Sequence, residues 1–184
     1  MRDVWCPDTI EGDPSSGNWD VLMCGMIHKM NMSSCYRLAA LFDATGGSYT
    51  VSLSAVAHEN QPPIWQSPQF AALRHLFGSH FKFLGTLADD GLVRAMQQAD
   101  VVALLYDPAV RANNTLFWTA RRWAHRIITN IDRDSPAEAN EVGIFDLASL
   151  KAWPNTIWRM PHEDIDRGWD ALVRRLNQPT EVTA

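Results

Sequence analysis

The chain has 184 residues, of which 46% are hydrophobic and 20% are charged, and it carries a formal net charge of −5. This length suits a single domain with a buried core, and the composition excludes a disordered or fibrous protein. The acidic balance argues against a broad basic footprint for nucleic acid, so we expect no nucleic-acid partner.

Cysteine content and hydropathy limit the cellular compartments in which the protein is expected. The three cysteines, Cys6, Cys24 and Cys35, form no C-x-x-C pair and match neither a disulfide framework nor a zinc site. We therefore expect no metal and a reducing compartment. The first residues contain no apolar signal-peptide core, and no run approaches the roughly 18 apolar residues that span a membrane. The sequence predicts a cytoplasmic protein without a transmembrane segment, either free or peripheral to the inner membrane.

Turn-forming residues dominate the start of the sequence. Proline, glycine and serine punctuate residues 1–18, which we interpret as a leader, a remnant of an interdomain linker, or an arm that wraps the surface. Residues 19–178 are predicted to form one domain, and residues 179–184 a frayed tail.

The first half of this domain alternates strands and helices. Asp20–Gly25 is a short apolar run that ends in glycine, which is typical of a buried parallel strand. Ser33 and Ser34 offer an N-cap for the amphipathic helix that follows. The alternating segment Tyr49–Val56 predicts a second strand, and Gln69–Phe77 predicts a short helix after a proline-rich loop.

The next stretch reads as strand, helix, strand, helix, strand. The strands are predicted at Phe81–Gly85, Val101–Tyr106 and Ile127–Thr129, and the helices at Asp89–Ala99 and Thr115–Arg126. Both connections run through helices, as parallel neighbouring strands require.

Helical spacing also divides the last of these helices into two sides. Its apolar stripe is predicted to contain Leu116, Ala120, Trp123 and Ala124. Its polar side and last turn are predicted to contain Arg121, Arg122, His125 and Arg126.

Weaker signals follow a charged loop after Asn130. Short strands are predicted at Val142–Phe145 and Thr156–Met160, and an amphipathic helix at Ile165–Asn177. Together the elements predict a single Rossmann-like α/β domain, with a mostly parallel sheet of five or six strands and helices on both faces. Ligands of such sheets bind beyond the carboxyl ends of the strands, so candidate site residues are those that follow each strand.

The first strand is followed by one such candidate set. No G-x-G-x-x-G fingerprint is present, but Gly25 allows a ligand to approach the backbone closely. Lys29 can meet a phosphate as a point charge, and His28 can donate to the same phosphate. The plainer alternative is a surface lysine and an ordinary loop histidine.

The second set precedes the helix at Thr115. Helix N-termini bind phosphate through free backbone N–H groups, and Asn113, Asn114 and Thr115 supply polar side chains there. Simple capping of the helix by Asn114 or Thr115 is the alternative. After the third strand, Gly85 leaves room for a flat ring, or marks an ordinary turn.

No catalytic set is evident, and the catalytic residues stay unknown. The sequence contains no G-x-S-x-G, H-E-x-x-H or P-loop motif. Four carboxylates follow the last clear strand, and we interpret them as a solvated acidic loop rather than an acid/base pair: Asp132, Asp134, Glu138 and Glu141.

The order of these pieces is similar to that of a known family. The segments FKFLGTLADDGLVRAMQQADVVALLYDP and RIITN, the opening DVLMCGMIHK and the closing MPHEDIDRGWDALVRRLN carry the similarity. They resemble the C-terminal donor-binding domain of GT-B-fold glycosyltransferases, notably the family-4-like group (glycosyl transferases group 1). The resemblance covers 20–177 and rests on the order of elements.

The resemblance implies a role for each candidate. Donor phosphates would contact Gly25, His28 and Lys29 and the turn formed by Asn113, Asn114 and Thr115. The nucleoside would contact Gly85, Thr86, Leu87 and Thr119. A nucleoside-diphosphate sugar would be the co-substrate, with no separate cofactor. Retaining members of the family carry two glutamates where this sequence has Arg111 and Thr119.

The resemblance also implies a second half. GT-B enzymes react in a cleft between two such domains, so the acceptor site would come from another half-domain or from a homo-oligomer.

Two alternatives stay open. A nucleoside deoxyribosyltransferase-like enzyme has a similar domain but needs a glutamate nucleophile, and none stands between Asp107 and Asp134. A non-catalytic Rossmann-like interaction module would use exposed tryptophans as partner anchors, with Trp118, Trp153 and Trp158 as candidates.

Overall fold

A parallel sheet of five strands forms the centre of the molecule. The computed structural model describes residues 18–43 and 47–140. The strands are β1 Asn18–Met26, β2 Ser48–Val56, β3 Phe81–Gly85, β4 Val101–Leu104 and β5 Ile127–Thr129. Their order is β3-β2-β1-β4-β5, and every neighbouring pair is parallel. This order is that of a Rossmann-like α/β domain, which confirms the predicted fold class.

Helices connect the strands and cover both faces of the sheet. They are α1 Met32–Asp43, α2 Pro68–Phe77, α3 Asp89–Gln98, α4 Thr115–Trp123 and the short α5 Ala137–Asn140. Helix α1 packs against α2, and α3 packs against α4. Because crossovers between parallel strands are right-handed and the chain reverses direction across the sheet after β3, the two helix pairs lie on opposite faces.

The central strands are buried on both sides, which explains their continuous apolar sequence. In β1, Val21, Leu22, Met23 and Cys24 are each 2% exposed or less. On one face, the ring of Phe42 in α1 stacks on Tyr49 of β2, with 5.5 Å between centroids.

The structure corrects the predicted start of α1. The side-chain oxygen of Asn31 accepts a hydrogen bond from the Ser34 amide at 2.9 Å, and the helix begins at Met32. Capping by Ser33 or Ser34 is therefore wrong, because Asn31 already provides the acceptor one turn earlier.

The predicted sides of α4 are also partly wrong. Arg121 is 4% exposed, although helical spacing places it on the polar side. Its guanidinium donates at 3.3 Å to the carbonyl of Glu138, which lies in the short helix α5 that the sequence did not predict. Phe117 is fully buried although the stripe was not predicted to contain it, Leu116 is partly buried against the core as predicted, and the helix ends at Trp123.

Several predictions lie outside the described residues. They are residues 1–17 of the leader or linker predicted at 1–18, the strands Val142–Phe145 and Thr156–Met160, the helix Ile165–Asn177 and the tail 179–184. A sixth strand therefore stays a prediction. The last residue of the predicted leader, Asn18, instead begins β1.

Candidate functional site at the carboxyl edge of the sheet

The chain reverses its order between β1 and β4, where ligands of Rossmann-like sheets bind. In this protein the loops that leave those two strands are joined by backbone hydrogen bonds. Met30 and Tyr106 form an antiparallel bridge. The Asn31 amide donates to the Leu105 carbonyl at 2.9 Å, and the Asp107 amide donates to the Lys29 carbonyl at 2.7 Å. The main chains of the two loops are therefore held together at this edge.

Gly25 is explained by packing within the chain. Its φ is +129°, and a Cβ at this position would lie 2.7 Å from the Tyr106 hydroxyl and 2.9 Å from a ring carbon. The Tyr106 hydroxyl donates to the Cys24 carbonyl at 2.6 Å, and burial raises the pKa of this phenol well above its ordinary value. The close approach that the sequence predicts at Gly25 is thus made by the Tyr106 ring, and a ligand contact there stays a prediction.

Asn130 fixes the main chain of Tyr106 from the other side. Its side-chain oxygen accepts from the Tyr106 amide at 2.8 Å, and its side-chain nitrogen donates to the Tyr106 carbonyl at 2.7 Å. These two bonds extend the pairing of β4 and β5 beyond the ends of the strands. The Tyr106 main chain is therefore hydrogen-bonded through both its N–H and its carbonyl at the end of β4.

Lys29 lies on a 3-10 turn directly after β1. Its side chain is exposed and forms no hydrogen bond or ion pair within the described part of the chain. The neighbouring His28 is half-buried, and its Nδ1 is occluded without a hydrogen-bond partner. Its ring lies edge-to-face with that of His58, 6.2 Å between centroids. The sequence prediction missed His58; its position directly after β2 was the available signal.

The turn before α4 divides its side chains between two tasks. The Asn114 side chain accepts from the Phe117 amide at 2.9 Å, so Asn114 caps the helix. Asn113 and Thr115 are exposed, and their side chains have no hydrogen-bond partner among the described residues. Within the same residues, the amides of Thr115 and Leu116 also lack an acceptor. This turn therefore offers unused donors at a helix N-terminus.

Arg111 anchors that turn. Its guanidinium makes two hydrogen bonds of 2.9 Å to the Asp132 carboxylate, and it also donates to the carbonyls of Ala109 and Val110. Hydrogen bonding from Arg111 lowers the pKa of Asp132. Asp132 is exposed, as predicted for the acidic loop, but its carboxylate forms an ion pair with Arg111. At the position where the resembling family has a glutamate, this chain thus has Arg111, whose hydrogen bonds hold the turn in place.

The loop after β3 is fixed against β2. The Thr86 hydroxyl donates to the Ala55 carbonyl at 2.8 Å, and the Leu87 amide donates to the Ser54 hydroxyl at 3.3 Å. Gly85 has a φ of +78°, and no atom lies within 4 Å of the position of a Cβ. The Cβ side of Gly85 therefore faces open space, and contact with a flat ring there stays a prediction.

Two further side chains depart from their predicted use. The Thr119 hydroxyl donates to the Thr115 carbonyl at 2.9 Å, so only its oxygen lone pairs remain for a ligand. Trp118 is half-buried, and its indole N–H donates to the Ala112 carbonyl at 2.7 Å. Trp118 is thus not a free anchor, whereas Trp65 is 69% exposed. Trp153 and Trp158 lie outside the described residues.

Within residues 18–43 and 47–140, no helix is long and apolar enough to cross a membrane. The same residues contain no group of three histidine, cysteine or carboxylate side chains arranged to hold a metal ion. Comparison with protein-family models, with curated proteins and with solved structures finds no match to this chain. The molecule is a Rossmann-like α/β domain with a candidate anion site at the carboxyl edge of its sheet.

Proposed function

We propose that this domain is the donor-binding half of a glycosyltransferase, which transfers a glycosyl group from a nucleoside-diphosphate sugar to an acceptor. The observation that carries the proposal is the hydrogen bond of 2.7 Å between the Asp107 amide and the Lys29 carbonyl. It ties the loop that presents Lys29 to the loop that leads into α4. The two candidate phosphate-binding segments thus belong to loops that are hydrogen-bonded to each other at the switch point of the sheet, which supports the proposal.

These segments suit a diphosphate leaving group. The Lys29 ammonium supplies a positive charge, and the first turn of α4 supplies unused backbone N–H groups and the positive end of the helix dipole. Preorganised donors of this kind stabilise the negative charge that develops on a leaving group. Asn113 and Thr115 would add neutral hydrogen-bond donors.

The nucleoside is proposed to lie toward β3. The open face of Gly85 is two strands away from β1, which corresponds to about 10 Å at a strand spacing of about 4.8 Å. A nucleotide is long enough to reach from a base at Gly85 to phosphates at Lys29. The ribose would contact the Thr119 oxygen only as a donor, since the Thr119 proton is already used.

Arg111 stands where retaining members of the resembling family carry a glutamate, and its guanidinium is held by Asp132, so it cannot take the role of that carboxylate. The acceptor and the groups that act on it are therefore proposed to come from a second half-domain or a second copy of the chain.

A panel of UDP, GDP and ADP compounds, scored by thermal shift, tests the proposal. We expect at least one nucleoside diphosphate to raise the melting temperature, and Lys29→Ala to reduce that rise. Lys82→Ala is the matched control, because Lys82 is an exposed lysine on β3, away from the switch point. The absence of a shift with every compound, or an equal loss in both variants, would contradict the proposal.

A non-catalytic interaction module is the second candidate, and the exposure of Trp65 favours it. A large exposed aromatic side chain is a common anchor at protein interfaces. Self-association that is lost in Trp65→Ala, together with no nucleotide binding, would favour this candidate over the glycosyltransferase.

A further inference from the structure

The side chains of His28 and His58 lie next to each other at the carboxyl edge of the sheet. Met26 of β1 pairs in register with Val56 of β2, and both strands end at these residues. His28 and His58 each follow two residues later. Because parallel neighbours run in the same direction, equal offsets place both rings at the same level of the carboxyl edge. Their centroids lie 6.2 Å apart, and their planes are nearly perpendicular.

The hydrogen bonds of the two rings determine which nitrogen carries the proton. His58 Nδ1 accepts from the Asn60 amide at 3.3 Å, so the proton of the neutral ring resides on Nε2. His28 Nδ1 is occluded and has no partner in the described structure, and a buried orphan N–H is rarer than a buried orphan acceptor. The proton of His28 is therefore also assigned to Nε2. Each ring then has an Nε2–H donor that no described residue accepts.

The surrounding charges favour an anion as the acceptor. Lys29 follows His28 directly, and its ammonium group is unpaired among the described residues. Glu59 follows His58 and is exposed, and Asp107 lies beyond the backbone bridge; neither forms an ion pair with the histidines or with Lys29 in the described part of the chain. These three side chains thus carry donor groups that no described residue accepts, and they belong to two neighbouring loops at the carboxyl edge of the sheet.

We propose that His58 completes an anion site with His28 and Lys29, and that this site binds the phosphoryl group of the donor diphosphate that is attached to the nucleoside. The inference rests on the proposed function, but it adds a residue from the β2 loop. It also divides the diphosphate between two places: one phosphoryl group at the imidazoles, the other at the first turn of α4. His58 is a binding residue in this arrangement.

Calorimetric titration of the 184-residue chain with inorganic pyrophosphate tests the site. A hydrogen bond to a charged group contributes about 1.5–3 kcal/mol, so we expect His58→Ala, which removes the donor, to weaken binding about tenfold or more. His75→Ala is the matched control, since His75 is an exposed histidine on α2, and it should bind as the wild type does. Lys29→Ala should weaken binding as well.

The outcomes separate the two proposals. If wild type and His58→Ala bind pyrophosphate equally, the role of His58 is overturned and the glycosyltransferase proposal stands. If the wild type binds neither pyrophosphate nor any nucleoside diphosphate, both are overturned. If His58→Ala does not fold, the imidazole nitrogen resonances of the wild type decide: a shift of the His58 Nε2 signal on addition of pyrophosphate supports the site, and an unchanged signal overturns it.

Discussion

Gly25 and Gly85 both have positive φ angles, but for different reasons. Gly25 is in contact with the Tyr106 ring, whereas Gly85 faces open space. A side chain at Gly85 meets only the strain of left-handed backbone, which costs about 1–2 kcal/mol. A side chain at Gly25 meets that strain and a clash with a buried ring, and overpacking adds about 1–3 kcal/mol.

We therefore expect Gly25→Ala to lower the free energy of unfolding by about 3 kcal/mol, and Gly85→Ala by about 1 kcal/mol. Urea denaturation of the two variants measures both. Equal losses would show that the Tyr106 contact adds nothing, and that backbone strain alone accounts for Gly25.

At the scale of elements, the two asparagines in the turn before α4 have different roles: one caps the helix, and the other is exposed. Asn114 caps the helix through the Phe117 amide, and Asn113 is exposed without a partner in the described residues. We expect Asn114→Ala to cost about 1 kcal/mol of stability, which is typical for loss of an N-cap. Asn113→Ala should leave stability unchanged and should weaken nucleotide binding. Denaturation and thermal shift measure the two effects, and a stability loss in Asn113→Ala that matches Asn114→Ala would contradict this division.

The elements themselves could be predicted from the sequence because their signals are local. Short apolar runs bounded by glycine indicate β1 and β3, and alternation indicates β2. Helix α5 escapes prediction because four residues carry almost no periodicity. The predicted end of α4 is wrong because the apolar pattern continues to Ala124, although the helix ends at Trp123. The local apolar pattern of a sequence does not determine the residue at which a helix ends.

The candidate site was predictable only in part, for the same reason. Position after a strand was enough to select Lys29, and position before a helix was enough to select Asn113. The contacts that decide what these loops do join residues far apart in sequence: Tyr106 with Gly25, Arg111 with Asp132, and His28 with His58. Such pairs have no spacing to recognise in one sequence, and only the topology of the sheet brings them together.

At the scale of the whole molecule, two buried thiols and a buried phenol make the free energy of unfolding depend on pH in the alkaline range. Burial raises the pKa of the Cys24 thiol in β1 and of the Cys35 thiol in α1 from an ordinary 9.0 to about 12. It also raises the pKa of Tyr106 well above 10.0. All three side chains belong to the core around β1, so ionisation of any of them requires that the core open.

The direction of the effect follows from proton counting. Above pH 9 the unfolded chain has ionised thiols, whereas the folded chain keeps both protons until about pH 12. The unfolded state then binds fewer protons, so the free energy of unfolding falls as pH rises. Each thiol contributes a slope of up to about 1.4 kcal/mol per pH unit in that window, and Tyr106 adds to it above about pH 10.

Urea denaturation under reducing conditions at a series of pH values from about 8 to 11 measures this slope. We expect Cys24→Ala and Cys35→Ala each to flatten it by about 1.4 kcal/mol per pH unit, whatever they do to stability near neutral pH. Leu38→Ala is the control, because Leu38 is a fully buried residue of α1 without a titrating group. That variant should lose stability at every pH and keep the wild-type slope. If the slope survives in both cysteine variants, buried thiols are not the cause of alkaline unfolding, and Tyr106→Phe becomes the next variant to measure.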